Sequence, residues 1–179
     1  KNILDYDNYD GGSIICTGFL HHLPKDVLIE RVEFIYKNMN IGEQLLIVEP
    51  RYDFVNFEMA FMVQALRLAL PNNFPKIKPY KDIYKYTNEI YREMGELDGT
   101  QSANDNESPS AFIEHAINSC FDDVSINYNT AFFDKFIGSV RLSDKDNHRL
   151  SHLLKEFDNI ILKYNKNFAR NIMIAARKT

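Results

Sequence analysis

An α/β fold class is predicted for this chain by three features of one stretch, Ser13 to Pro50. An apolar run, Ser13-Ile14-Ile15-Cys16-Thr17-Gly18-Phe19, has the length and β-branched content of a strand buried on both faces, as in a parallel sheet. Behind Pro24 and Asp26, which are first-turn residues, Leu28, Val32, Ile35 and Met39 fall at helical spacing, and Gly42 breaks the helix. A second apolar run, Leu45-Leu46-Ile47-Val48, is closed by Glu49-Pro50. Strand, crossover helix and parallel strand make a right-handed βαβ unit, and sheets of this kind bind ligands at the carboxyl ends of their strands. Cys16 to His22 and Glu49 to Asp53 therefore fall on the rim expected to carry function.

The bulk composition narrows the class of function. At 179 residues the chain is long enough for a full core and is read as one domain, residues 1–179. With 45% hydrophobic and 26% charged residues it is ordinary for a globular protein. A net charge of −4 leaves no basic face for nucleic acid, and it disfavours anionic membrane for the same reason. Two cysteines, Cys16 and Cys120, form neither a disulfide framework nor a zinc pattern, so a reducing cytoplasm is the expected compartment. No signal peptide is visible at Lys1, and no apolar run is long enough to span a bilayer.

The run Ile14 to Phe19 with Leu20-His21-His22-Leu23-Pro24, the helix Asp26 to Asn40, the turn Ile41-Gly42-Glu43-Gln44 and the run Leu45 to Pro50 resemble a known arrangement. It is that of the fourth and fifth strands of a class I S-adenosylmethionine-dependent methyltransferase. The Leu-His-His-Leu-Pro version is similar to that of small-molecule methyltransferases of the ubiquinone/menaquinone-biosynthesis type. Ser13 stands where an Asp often opens the fourth strand, and Ile41-Gly42-Glu43 where Pro-Gly-Gly is usual. The resemblance implies a Rossmann-like sheet of which strands 4-5-7-6 are present, the amino-terminal strands with their glycine-rich turn and ribose-binding acid being absent. Gly11-Gly12 precedes a strand and so cannot serve as that turn. The fourth strand would then be a raw edge, to be covered by a missing amino-terminal segment, a second copy in a homodimer, or a partner chain.

The same resemblance implies S-adenosylmethionine as cofactor, with the backbone of Cys16, Thr17, Gly18 and Leu20 against it. Asp5, or failing that Asp7, would accept from the adenine amino group; on residue type alone, both belong to an Asx-rich solvated turn. Cys16 reads as a small buried hydrophobe rather than a nucleophile, since no cationic partner is evident. His21 and His22 are the candidate catalytic residues. With an unperturbed pKa of about 6.5, an imidazole can take a proton from an acceptor near neutral pH, the role given to His22. One of the pair can equally cap a helix or bond a carbonyl. Adjacent histidines rarely converge on one metal ion, and no metal is expected. Glu49, Arg51 and Tyr52 leave the fifth strand on the same rim and are candidate substrate contacts, or they only bond one another with Asp53.

Residues 54–120 read as a helical insertion over this rim. Phe54 to Leu70 is apolar nearly all round, and Phe57, Met59, Phe61 and Met62 exceed what one sheet face requires. Phe57 and Phe61 are therefore candidate walls of a lipophilic substrate pocket, against the simpler reading of plain core. Pro71 to Pro79 is a linker, and Tyr80, Ile83, Tyr84, Thr87, Ile90, Tyr91 and Met94 trace a second amphipathic helix. Asp98 to Ser110 is polar and Gly/Ser/Asn-rich, a candidate lid. Ser108-Pro109 is read as N-cap and first helical residue of a helix ending at Cys120. Asp123 to Phe133 alternates as a strand. Ser143 with Asp146 opens the last helix, whose buried stripe is expected at Leu150, Leu153, Phe157, Ile160 and Tyr164. His148 and His152 share a helical face but lack a third ligand. Arg170 to Arg177 is the terminal strand; the resemblance makes it the seventh, antiparallel between five and six.

The function expected is methyl transfer to a small lipophilic or aromatic acceptor, which demands alignment, exclusion of water and, for an oxygen acceptor, removal of a proton. The alternative is a non-catalytic methyltransferase-like binding or scaffolding subunit. A nicotinamide dehydrogenase fares worse, for there is no Tyr-x-x-x-Lys pair and no dinucleotide fingerprint.

Overall fold

The computed structural model describes residues 12–69, 83–95, 107–133, 136 and 142–179. Its elements in chain order are β1 (Ile14–Thr17), α1 (Lys25–Asn38), β2 (Gln44–Pro50), α2 (Phe57–Ala69), α3 (Ile83–Met94), α4 (Ser110–Cys120), β3 (Asp123–Asn129), α5 (Asp144–Tyr164) and β4 (Asn171–Arg177). The four strands form one sheet in the order β1-β2-β4-β3. β1 and β2 are parallel, with Ile14 opposite Leu45 and Thr17 opposite Val48. At the start of β2, Gly42 N–H donates to Lys178 O at 2.8 Å and Lys178 N–H to Glu43 O at 3.1 Å, so β4 runs antiparallel to β2. Arg170 N–H donates to Thr130 O at 2.7 Å, and Arg177 Nε lies 3.9 Å from Asp123 Oδ2, which makes β3 antiparallel to β4. This is the 4-5-7-6 order with its reversed seventh strand, and the fold class is α/β.

Burial alternates along the strands, so the sheet has one well-covered face. In β2, Leu45, Ile47 and Glu49 are buried while Leu46 and Val48 are half-buried; in β4, Ile172, Ile174 and Ala176 are buried and Met173 is exposed. β1 departs from the sequence expectation of burial on both faces: Cys16 is buried, but Ile15 is 73% exposed. α1 buries the predicted stripe, Leu28, Val32, Ile35 and Met39. Its carboxyl end is capped from just beyond β4, where Lys178 Nζ donates to Met39 O at 2.8 Å and Lys37 O at 3.3 Å. A cation there complements the negative end of the helix dipole.

The chain divides into two units, Lys1–Arg51 with Ser102–Asn127 and Ile172–Thr179, and Tyr52–Gln101 with Tyr128–Asn171. The first contains β1, β2, α1 and α4. In the second, α2 packs on α3, and Met59, Ala60, Val63, Ile90, Met94, Phe132, Phe136 and Leu154 share one core. α2 starts later than the apolar run suggests, because Asn56 Oδ1 accepts Met59 N–H at 2.9 Å and so caps the helix at Phe57.

Two expectations in this unit are corrected. β3 stops at Asn129 because Thr130 takes a left-handed backbone (φ 58°), after which Asp158 accepts the N–H groups of Ala131, Phe132 and Phe133 at 3.0 to 3.4 Å. Of the stripe foreseen as buried on α5, only Leu150 packs against the core, and the rest is the helix's outer face. Leu153, Phe157, Ile160 and Tyr164 are 54%, 51%, 55% and 83% exposed, while Leu154 and Asp158 are buried. Ser143 does cap this helix, accepting Asp146 N–H at 3.3 Å and donating to Asp146 Oδ2 at 2.6 Å. No helix among the described residues is long and apolar enough to cross a membrane.

Candidate functional site at the carboxyl end of β1

The site grows from the end of the parallel pair. Gly18 adds one further rung, its N–H donating to Val48 O at 2.8 Å, and then takes φ +58°, a conformation that favours glycine. Among the described residues nothing lies within 4 Å of the position a Cβ would occupy there, so the turn presents open space beside its backbone. The turn aims Phe19 N–H and Leu20 N–H at a single oxygen, Glu49 Oε1, each at 2.9 Å. Leu20–His22 closes as a 3-10 turn.

Glu49 is fully buried at the end of β2, and its other oxygen, Oε2, lies 2.6 Å from His21 Nδ1. A carboxylate in this position can only accept, which puts the hydrogen of a neutral His21 ring on Nδ1 and leaves Nε2 as its lone-pair nitrogen. Burying the carboxylate is compensated by three hydrogen bonds converging on it. The His22 ring lies against that of His21, centroids 3.9 Å apart, and His22 is the more exposed of the two.

A second element fixes the loop from the other side. Ser108 N–H donates to His21 O at 3.0 Å, and Ser108 Oγ to Leu23 O at 2.6 Å. Its hydroxyl is thereby occupied, and α4 begins behind Pro109 with no side-chain cap, contrary to the N-cap role read from Ser108-Pro109. Arg51 is also buried, with Nε donating to Ser110 Oγ at 3.4 Å. Cys16 lies beneath the turn, where burial first and the Glu49 charge second push its thiol up to about 12; it is not a nucleophile at neutral pH.

The structure thus brings together Cys16, Thr17, Gly18, Leu20, His21, His22, Glu49 and Arg51. Glu49, expected as a substrate contact, is spent on the loop and wholly buried, and Arg51 is 3% exposed, so neither side chain sits at a surface. Tyr52, Phe57 and Phe61 belong to the second unit. There Phe57 stacks near Tyr84 and Tyr91, with centroids 5.6 and 6.2 Å away, and Phe61 is exposed. Asp5 and Asp7, and residues 98–106 of the expected lid, lie outside the described residues. Sequence reasoning missed Ser108 as a loop anchor, for a serine before a proline carries the signal of an N-cap and none of a contact 85 residues away.

The chain is similar in structure to PKMT2 from Rickettsia typhi, in a complex with AdoHcy (17% identity, TM-score 0.41, 100% of this chain and 38% of that one) and in a second structure (16%, 0.39, 99% and 38%). It is also similar to a SAM dependent methyltransferase from Archaeoglobus fulgidus (16%, 0.40, 99% and 66%). It spans 38% of the rickettsial chains and 66% of the archaeal one. No protein-family model matches the chain, and no curated protein does.

Proposed function

We propose that the chain carries the β1 to β4 half of an S-adenosylmethionine-dependent methyltransferase sheet, with the methyl donor against the Thr17 to Leu20 turn and a small lipophilic or aromatic molecule as acceptor. The observation that carries this reading is the strand order β1-β2-β4-β3, combined with a left-handed Gly18 and open space at the carboxyl end of the parallel pair. The donor supplies an electrophilic methyl group; the chain's own task is alignment and proton management. Gly18 leaves room beside its backbone. His21, held by Glu49 and Ser108, fixes the loop. His22, the more exposed imidazole, would take up the proton that an oxygen acceptor releases on methylation.

The second unit by itself holds an apolar cavity of about 430 Å³, walled by residues such as Met62, Leu66, Phe132, Phe136 and Leu150 with no polar side chain among them. That volume lies in the range of small-molecule sites, about 300–1,000 Å³. Two free cysteines suit the reducing cytoplasm.

The test is calorimetric titration of S-adenosylhomocysteine into the full-length protein and two Gly18 variants. Gly18→Asn tolerates the left-handed backbone but fills the open space, so it folds and loses binding; Gly18→Val, strained at that φ, loses binding with some stability. Wild-type binding that Gly18→Asn leaves unchanged contradicts the donor position. No binding by the wild type favours the non-catalytic, scaffolding reading.

A further inference from the structure

The outer face of α5 carries an apolar seam of which only Leu150 packs against the core of its own unit. Leu150, Leu153, Phe157, Ile160 and Tyr164 follow one another at steps of three, four, three and four, the a/d pattern of a helix that packs on another helix. Leu154, Asp158 and Ile161 face the core of their own unit, whereas Leu153, Phe157, Ile160 and Tyr164 are each more than half exposed. Four large apolar side chains in a row, on a helix with a charged flank, mark an interaction surface.

The flank identifies the occupant. On the solvent side of the seam stand Glu156 and Lys163, one heptad apart and both exposed. If a second copy of α5 lies antiparallel with Phe157 opposite Ile160, Leu153 falls opposite Tyr164, and Glu156 of each copy falls opposite Lys163 of the other. The two-fold axis then passes between positions 158 and 159, the apolar layers from Leu153 to Tyr164 are filled while Leu150 stays with its own core, and both charge pairs are of opposite sign. A parallel pairing offers no such match, since Glu156 would then face the apolar Ile161 position. We propose that this chain forms a two-fold symmetric dimer through an antiparallel α5 pair. The paired seam spans 12 residues, Leu153 to Tyr164, or about 18 Å of helix. Phe157 and Leu153 also border the apolar cavity, so the seam continues an existing apolar surface. The proposal is independent of the methyltransferase reading and of the β1 edge.

Sedimentation equilibrium of the full-length protein tests it with three variants at exposed positions. The wild type is a dimer in reversible equilibrium, and Phe157→Glu is a monomer. Glu156→Lys places like charges at both flanking pairs and raises the dimer dissociation constant about tenfold. Adding Lys163→Glu to it restores opposite charges and wild-type affinity. Circular dichroism confirms that each variant stays folded. A wild type that is monomeric at high micromolar concentration overturns the proposal. So does a dimer that survives Phe157→Glu, or one whose charge reversal is not rescued by the second substitution.

Discussion

Glu49 and His21 lie 28 residues apart in sequence and 2.6 Å apart in space, and the fully buried carboxylate also accepts the backbone N–H groups of Phe19 and Leu20. The end of β2 thereby holds the loop that leaves β1 through three hydrogen bonds to one side chain. Glu49 is a positioning residue: it fixes the shape of the turn and the orientation of His21.

Glu49→Gln keeps the shape of the side chain but turns one acceptor into a donor facing N–H groups. Loss of charge-assisted hydrogen bonds in a buried site costs about 2–3 kcal/mol. Urea unfolding measures this; a change below about 0.5 kcal/mol, the range of neutral surface substitutions, contradicts the role.

Ser108→Ala removes the hydroxyl that donates to Leu23 O at 2.6 Å. A buried carbonyl left without that donor costs about 1–2 kcal/mol. The His21 and His22 ring resonances should broaden or shift in the same variant, because the loop carrying them is tied through this residue. An unaltered histidine spectrum would mean that the loop is held without Ser108.

Thr87 is a buried hydroxyl on α3 whose Oγ1 has no hydrogen-bond partner among the described residues. Thr87→Val replaces that orphan oxygen with a methyl group and should stabilise the protein by up to about 1 kcal/mol. Destabilisation would show that the hydroxyl has a partner.

Cys16 gives a pH signature. Its thiol is raised from 9.0 to about 12 in the folded chain, so the folded state holds its proton more tightly than the unfolded state does. Its contribution is fully present below pH 9 and is lost as pH rises from 9 toward 12. Cys16→Ala removes that slope, and the difference between wild-type and variant urea midpoints across this window reads it directly. Parallel curves would contradict the assignment.

Most of the sheet was legible in the sequence because strand chemistry is local. The runs Ile14 to Thr17 and Leu45 to Val48, the α1 stripe and the terminal strand each carry their own period, and the β1-β2-β4-β3 order follows from the arrangement they resemble. What escaped was set by contacts distant in sequence. Asp158 ends β3 by collecting N–H groups 25 to 27 residues away, and nothing in a helical Asp announces that. The α5 stripe was misassigned because two apolar faces adjoin on that helix, and the more regular one, at a 3.5-residue period, points outward. In the candidate site, His21 and His22 are singled out by residue type alone, whereas the contact of the His21 ring with Glu49 and the greater exposure of His22 are set by the fold.

The most direct measurement is an amide chemical-shift titration of the full-length, isotopically labelled protein with S-adenosylmethionine. The largest shifts in this part of the chain are expected on Thr17, Gly18, Phe19 and Leu20, with smaller ones at His21 and His22. Saturable binding whose shifts leave these residues untouched, or no binding at all, would contradict the donor position.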